Sequence, residues 1–452
     1  MFGQTLTIAR NTFVESVRQP IYFILILVCG VLQVFTTWGT NFSLGYTDSS
    51  EVSGDNKLLL DIGLGSVFVC GTLLASFIAT AVVSREIDNR TILTVVSKPV
   101  SRPTVILGKY LGVVTAILIA IALMLLFLLL AVRHGVMSKA ADELDGPVIV
   151  FGIGAAFAAI LIGLWCNFFY GWVFAQTASL SMLPLMTVAY LLVLLVKKDW
   201  SWQPLGADLK PQILMACGAL ALALVVLTAV ATAASTRLGQ VATICIAFGA
   251  LLLGLLSNTL FGSFTFQNDT VARIRAVEAL KPGMEPFRAA GDSLTVTLES
   301  APRRSVQPGD SFYYGPNPSG FDLLVPTFPR YTGDLSDRET MLSVRSPAAL
   351  VITAYSSENR TLTVLNAGEG LAMDTPPRTG DYVFLKPTRM NVAAVVLWGV
   401  IPNFQFFWLL DAITQNQKIP AAHIVIVLLY AAAQVGAFLS LAVLLFQERE
   451  TG

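Results

Sequence analysis

Residues 84–109 read SREIDNRTILTVVSKPVSRPTVILGK, and the way this stretch is read decides the fold. It lies between two long apolar runs and carries Arg85, Glu86, Asp88, Arg90, Lys98, Arg102 and Lys109, in a chain where only 13% of residues are charged. Such a density of charge is too costly to place in hydrocarbon, so the stretch is an aqueous loop joining two membrane spans. Its five basic residues, Arg85, Arg90, Lys98, Arg102 and Lys109, mark it as a cytoplasmic loop, because retained loops are enriched in Lys and Arg. The side of every other loop follows from that assignment.

Within the loop, Ile87, Thr91, Ile92 and Val95 fall on one helical face, with Asp88, Arg90 and Thr94 around the rest. Pro99 ends that helix, since its ring removes a backbone donor and disfavours helical geometry at Lys98. Ser101 is placed to cap a new helix, with Pro103 in its first turn, that enters the membrane through Val105, Ile106 and Leu107. A short amphipathic helix, a break and a spanning helix make a docking element rather than a plain connector.

Working outward, 452 residues that are 55% hydrophobic exclude an ordinary soluble protein. The fold class expected is a mainly α-helical polytopic membrane protein of about eight spans, with a β-rich extracytoplasmic domain inserted before the last one. Lys and Arg together number 29 and so do Asp and Glu, with no long run of like charge, so nothing points to nucleic acid. Cys29, Cys70, Cys166, Cys217 and Cys245 all sit in apolar runs and read as small buried hydrophobes. The N-terminus has no short apolar core with a cleavage site, so it reads as retained.

Residues 1–19 form an amphipathic interfacial helix, with Phe2, Leu6, Ala9, Phe13 and Val17 on one stripe and Pro20 as its stop. Residues 20–262 are the transmembrane domain, with spans expected near 21–38, 61–83, 108–132, 148–169, 177–196, 211–233 and 241–261 and the coupling loop at 84–109. The Lys-rich segment at 197–210 falls outside on this layout; if 148–196 made a single crossing, everything after it would flip. Residues 263–389 are no longer membrane-like: Val271, Ile274, Val277 and Leu280 suggest a short helix, and Leu294, Val296, Leu298, Leu362, Val364, 349–355 and 381–385 give strand signals. Residues 390–418, broken by Gly399, Pro402 and Asn403, read as interfacial helices anchored by Trp398, Phe404, Phe406, Phe407 and Trp408. Residues 419–452 supply the last span and a cytoplasmic tail.

Catalysis finds little support. No phosphate-binding loop of the form G-x-x-x-x-G-K-[ST] occurs, and two histidines without a paired motif give no metalloenzyme signature. The span centres carry essentially no ionisable residue, although ion-driven carriers need one to move the coupling charge. If the chain transports, its energy comes from elsewhere, and a docked ATPase pushing on the 84–109 loop is the obvious source.

Arg85-Glu86-Ile87, Thr91, Lys98-Pro99-Val100-Ser101-Arg102 and Gly108-Lys109 resemble the ABC type-2 exporter permease family, whose loop is acidic, contains threonine and continues into a "(K/R)PVSR…GK" run. Ile8-Ala9-Arg10-Asn11-Thr12-Phe13, Ser235-Thr236-Arg237-Leu238 and Ile401-Pro402-Asn403 are similar to other parts of that family. The resemblance implies a permease without its own ATPase site, in the bacterial cytoplasmic (inner) membrane with both termini cytoplasmic. It implies a second permease copy or paralogue, and a separate ABC ATPase that holds the ATP and magnesium. It also implies that Arg85, Glu86, Ile87, Asp88, Arg90, Thr91, Lys98, Pro99 and Arg102 couple the two. Arg90 where the family often has Gly, two extra spans and the large insertion depart from the pattern. The alternative is a membrane-anchored scaffold or sensor whose outer β-rich domain binds a ligand or protein.

Overall fold

The computed structural model describes residues 2–39, 54–84, 101–137, 144–279, 291–318, 328–342, 349–367, 377–410, 413 and 419–447. These fall into two compact units: one of helices, built from residues 1–255 and 402–452, and one β-rich, residues 256–401.

The helical unit contains α1 (Phe2–Arg18), α2 (Pro20–Gly39) and α3 (Gly54–Ala79, closing in a π-turn Thr80–Ser84). It continues with α4 (Arg102–His134), α5 (the π-turn Val148–Ile153 running into Gly154–Tyr170) and α6 (Phe174–Leu195). Next come α7 (Pro211–Ser235) and α8 (Gln240–Leu255). Of these, α2 to α7 are long and apolar enough to span a membrane, as is the final helix Ala421–Gln447. That makes seven candidate spans among the described residues, or eight if α8 and the helical residues beyond its break count as one. Mostly helical with a β-rich insertion before the last span, the protein has the fold class read from its sequence.

The spans are not equally enclosed. α3, α4 and α7 have the most buried apolar windows, at 67%, 61% and 67%, whereas α5 and the last helix stand at 22% and 17% and so form the periphery. Glycines let the central helices close: a Cβ on Gly71 would meet Leu224 Cδ1 at 2.6 Å. Gly171, in left-handed geometry (φ 65°), ends α5, and α6 then packs back along it, with Gly163 against Ala178 and Phe174. Residues 148–196 are therefore two antiparallel helices and not one crossing. Cys29, Cys70 and Cys217 are buried as expected, but Cys245 is exposed on α8.

The β-rich unit has its own core. Its strands are β1 (Phe266–Gln267), β2 (Thr270–Ala279), β3 (Ser293–Leu298), β4 (Tyr313–Gly315), β5 (Leu350–Ser356), β6 (Thr361–Asn366), β7 (Tyr382–Phe384) and β8 (Arg389–Met390). β4-β7-β2-β3-β6-β5 form one antiparallel sheet, and β1 pairs with β8 apart from it. Val296, Leu362 and Val364, each fully enclosed, anchor its apolar face.

Two expectations change here. Val271, Ile274 and Val277 lie on strand β2 rather than a helix. Register shifts at 270/272 and 274/276 each put an extra residue into the strand, and that turns the two-residue period of a strand into apparent steps of three. The segment 390–418, expected as interfacial helices, divides between the two units. The helix α9 (Val392–Val400) belongs to the β-rich unit, whereas the 3-10 turn Phe404–Phe407 belongs to the helical one. There Phe404 and Phe407 are almost wholly buried, Phe404 edge-on to Phe68 at 5.8 Å and Phe407 5.8 Å from Tyr430. They are core residues, because the 3-10 turn capped by Asn403 sends its rings inward among the spans. The final helix, Ala421–Gln447, is α10.

Candidate coupling site

The residues singled out from the sequence cluster around the 85–100 segment. Arg85, Glu86, Ile87, Asp88, Arg90, Thr91, Lys98 and Pro99 lie outside the described residues, as does the short helix expected there. Arg102 is described, together with both ends from which the segment hangs, and those ends are fastened to their surroundings in several ways.

The first fastening is a buried lysine. The π-turn at the end of α3 breaks the regular i to i−4 pattern, and Lys109 Nζ, on the first turns of α4, donates to Val82 O at 2.8 Å. Lys109 is only 4% exposed, so this bond joins the last turn before the segment to the first turns after it within the protein interior. Next to it, Gly108 and Gly112 give α1 its seat. A Cβ on Gly112 would fall 2.5 Å from Ala9 O and 2.6 Å from Thr12 Cβ, so the two helices touch almost backbone to backbone. The face of α1 that docks is Ala9, Thr12, Ser16 and Val17, so Ala9 and Val17 of the apolar stripe are buried while Phe2 and Leu6 stay exposed.

The second fastening involves two arginines and one helix end. Arg102 Nη1 donates to Gln447 O at 2.7 Å, and Arg237 Nε, in the turn after α7, donates to Leu445 O at 2.7 Å. Both donate to carbonyls of the last described turn of α10, and cations suit the C-terminal end of a helix dipole. Ile106, Ala233, Ala442 and Phe446 pack beneath them. Ser101 takes the N-cap position with Pro103 behind it, as expected, but its hydroxyl lies 2.6 Å from Thr104 Oγ1 instead of bonding the backbone. Arg18 Nε completes the set by donating to Gln176 Oε1 at 2.9 Å, which ties α1 to the start of α6.

One end of the helical unit thus gathers α1, the end of α3, the start of α4, the start of α6, the end of α7 and the end of α10. The opposite end is locked separately: Arg133 Nη1 meets the fully buried Asp145 at 2.7 Å and its Nε lies 3.1 Å from Asp208. From sequence, Lys109 counted only as one of the basic residues of an aqueous loop, and Gly108 and Arg237 only as parts of motifs; none of the contacts above was read for them, nor the burial of Asp145.

Residues 6–166 match the family described as ABC-2 family transporter protein. No curated protein and no solved structure matches the chain. The matched stretch takes in most of α1, all of α2 to α4 and most of α5, and so contains the 85–100 segment with the Val82 and Lys109 contacts on either side of it. Residues 6–166 are therefore similar to an ABC-2 family transporter domain, in a chain with seven candidate membrane spans among the described residues.

Proposed function

We propose that this chain is the translocation subunit of an ATP-driven exporter, working as a pair with a second copy or a paralogue. A separately encoded ABC ATPase docks on residues 85–100 and supplies the ATP site and its magnesium. Lys98, Pro99, Arg102 and the Arg85 to Thr91 run take the contact, with α1, the 85–100 segment and both termini in the cytoplasm and residues 263–389 outside, in a bacterial inner membrane. The observation that supports this reading is the Lys109 to Val82 bond, which holds together the residues on either side of the proposed docking segment.

The test is purification of the tagged full-length chain in mild detergent, with Glu86→Arg and Arg102→Glu alongside. An ATPase is expected to accompany the native chain and to be lost or uncoupled in the two variants. A transport-active preparation free of any nucleotide hydrolase rejects the proposal.

A further inference from the structure

Between α2, α4 and α5, at the end of the helical unit remote from α1, lies a cleft of about 360 Å³. That is at the small end for ligand pockets, the size for one slender occupant. Its base is formed by Leu27, Phe127 and Ala156 and its head by Trp38, His134 and Val148. Leu27 to Trp38 covers about 16 Å at the α-helical rise, close to half of the roughly 30 Å hydrocarbon core, which is the depth of one leaflet. Glycines open the floor: a Cβ on Gly30 would press the Phe127 ring at 3.1 Å, and one on Gly152 would press Leu130 at 3.1 Å. Nearly all of the wall is hydrocarbon, and the one hydroxyl on it, Thr37 Oγ1, is already used on Val34 O at 2.7 Å.

His134 breaks that uniformity. It is 8% exposed, and its Nδ1 lies 3.0 Å from Gly135 O. A carbonyl only accepts, so Nδ1 carries the proton, and in the neutral ring Nε2 then holds a lone pair, buried and without a partner among the described residues. A buried acceptor in an apolar wall is costly to leave unpaired. At the head of a cleft one leaflet deep, the group that arrives with a chain is a lipid head.

We propose that this cleft holds one acyl chain of a bilayer lipid whose head group donates a hydrogen bond to His134 Nε2. The required head carries an N–H or O–H, as in an ethanolamine or a glycerol; a choline head, with no such hydrogen, does not satisfy it. The proposal stands apart from the transport reading, since a chain that only anchored an outer domain would hold the lipid equally well.

The experiment uses the full-length chain in nanodiscs containing phosphatidylethanolamine or phosphatidylcholine, each with a diazirine at the end of one acyl chain, and maps the crosslinks by mass spectrometry. Labelling around Phe127 and Ala156 is expected to exceed that at Leu429, an exposed residue of α10, and to be lost in the cleft-filling variants Val34→Trp and Ala156→Leu while Leu429 labelling persists. The ethanolamine probe is expected to label the cleft about fivefold more than the choline probe, the factor a single hydrogen bond supports, and His134→Phe to erase that preference. Cleft labelling no higher than at Leu429, or unchanged by both filling variants, overturns the proposal. So does equal labelling by the two probes in the native chain, or a disulfide-linked dimer formed by Phe35→Cys and not by the native chain, which would make a second copy the occupant.

Discussion

Lys109 shows what one buried side chain does here. Replacing it with Met keeps the stem but leaves Val82 O without its donor, and the expected cost is about 1–3 kcal/mol. A lowered thermal unfolding midpoint of the detergent-purified chain checks this, with Thr115→Val on the exposed side of α4 as the neutral control. Asp145→Asn acts at the other end. Its carboxylate is fully buried against Arg133, and removing one partner of such a pair costs about 3–5 kcal/mol, read in the same melt. Neither role was legible from residue type. The lysine answers a backbone carbonyl beside a π-turn, and the aspartate sits in a loop whose other acidic residues gave it the look of surface charge. Asp334 gives a pH prediction: the Ser336 hydroxyl and amide N–H both donate to it and hold it below the usual carboxylate range. A depressed acid stabilises the folded turn above its unfolded value. That contribution is lost as pH falls through the folded value, so an NMR titration is expected to show a low midpoint that Ser336→Ala raises.

At the level of elements, α1 was legible as amphipathic, and Ala9 and Val17 of its stripe are buried, but the part of Thr12 and Ser16 in docking was not legible. Ala9, Thr12 and Ser16 are small or hydroxylated, and only the bare Cα of Gly112 opposite makes them a packing surface. Gly112→Leu is therefore expected to lift α1 from α4. Hydrogen exchange of residues 2–18 measures that directly, and Gly154→Leu, which meets nothing within 4 Å, leaves it unchanged. Long apolar runs were read correctly as spans because a bilayer demands length and continuity, which composition reports without knowledge of partners. β2 was misread for the opposite reason. Its period is set by bulges that exist only once β3 and β7 pair with it, so the pattern of Val271, Ile274 and Val277 carried the wrong repeat. The aromatic run at 404–408 was read as interfacial because sequence shows its polarity but not the buried Phe68 and Tyr430 rings it meets.

For the molecule as a whole, the β-rich unit is inserted through one narrow opening. Phe266 pairs with Met390, Gln267 with Arg389, and Asn391 N donates to Thr265 O at 2.7 Å, so the chain enters and leaves at adjacent points. Replacing residues 266–390 with a short Gly-Ser linker is expected to leave the helical unit folded, seen as a monodisperse peak in size-exclusion chromatography; aggregation would contradict it. The clamp on α10 has a consequence of another kind. Arg102 and Arg237 hold carbonyls of residues 447 and 445, which leave the ribosome 345 and 208 residues after them. A nascent chain thus waits for α10 before that end can close, and a stop ahead of α10 leaves both guanidiniums without these acceptors.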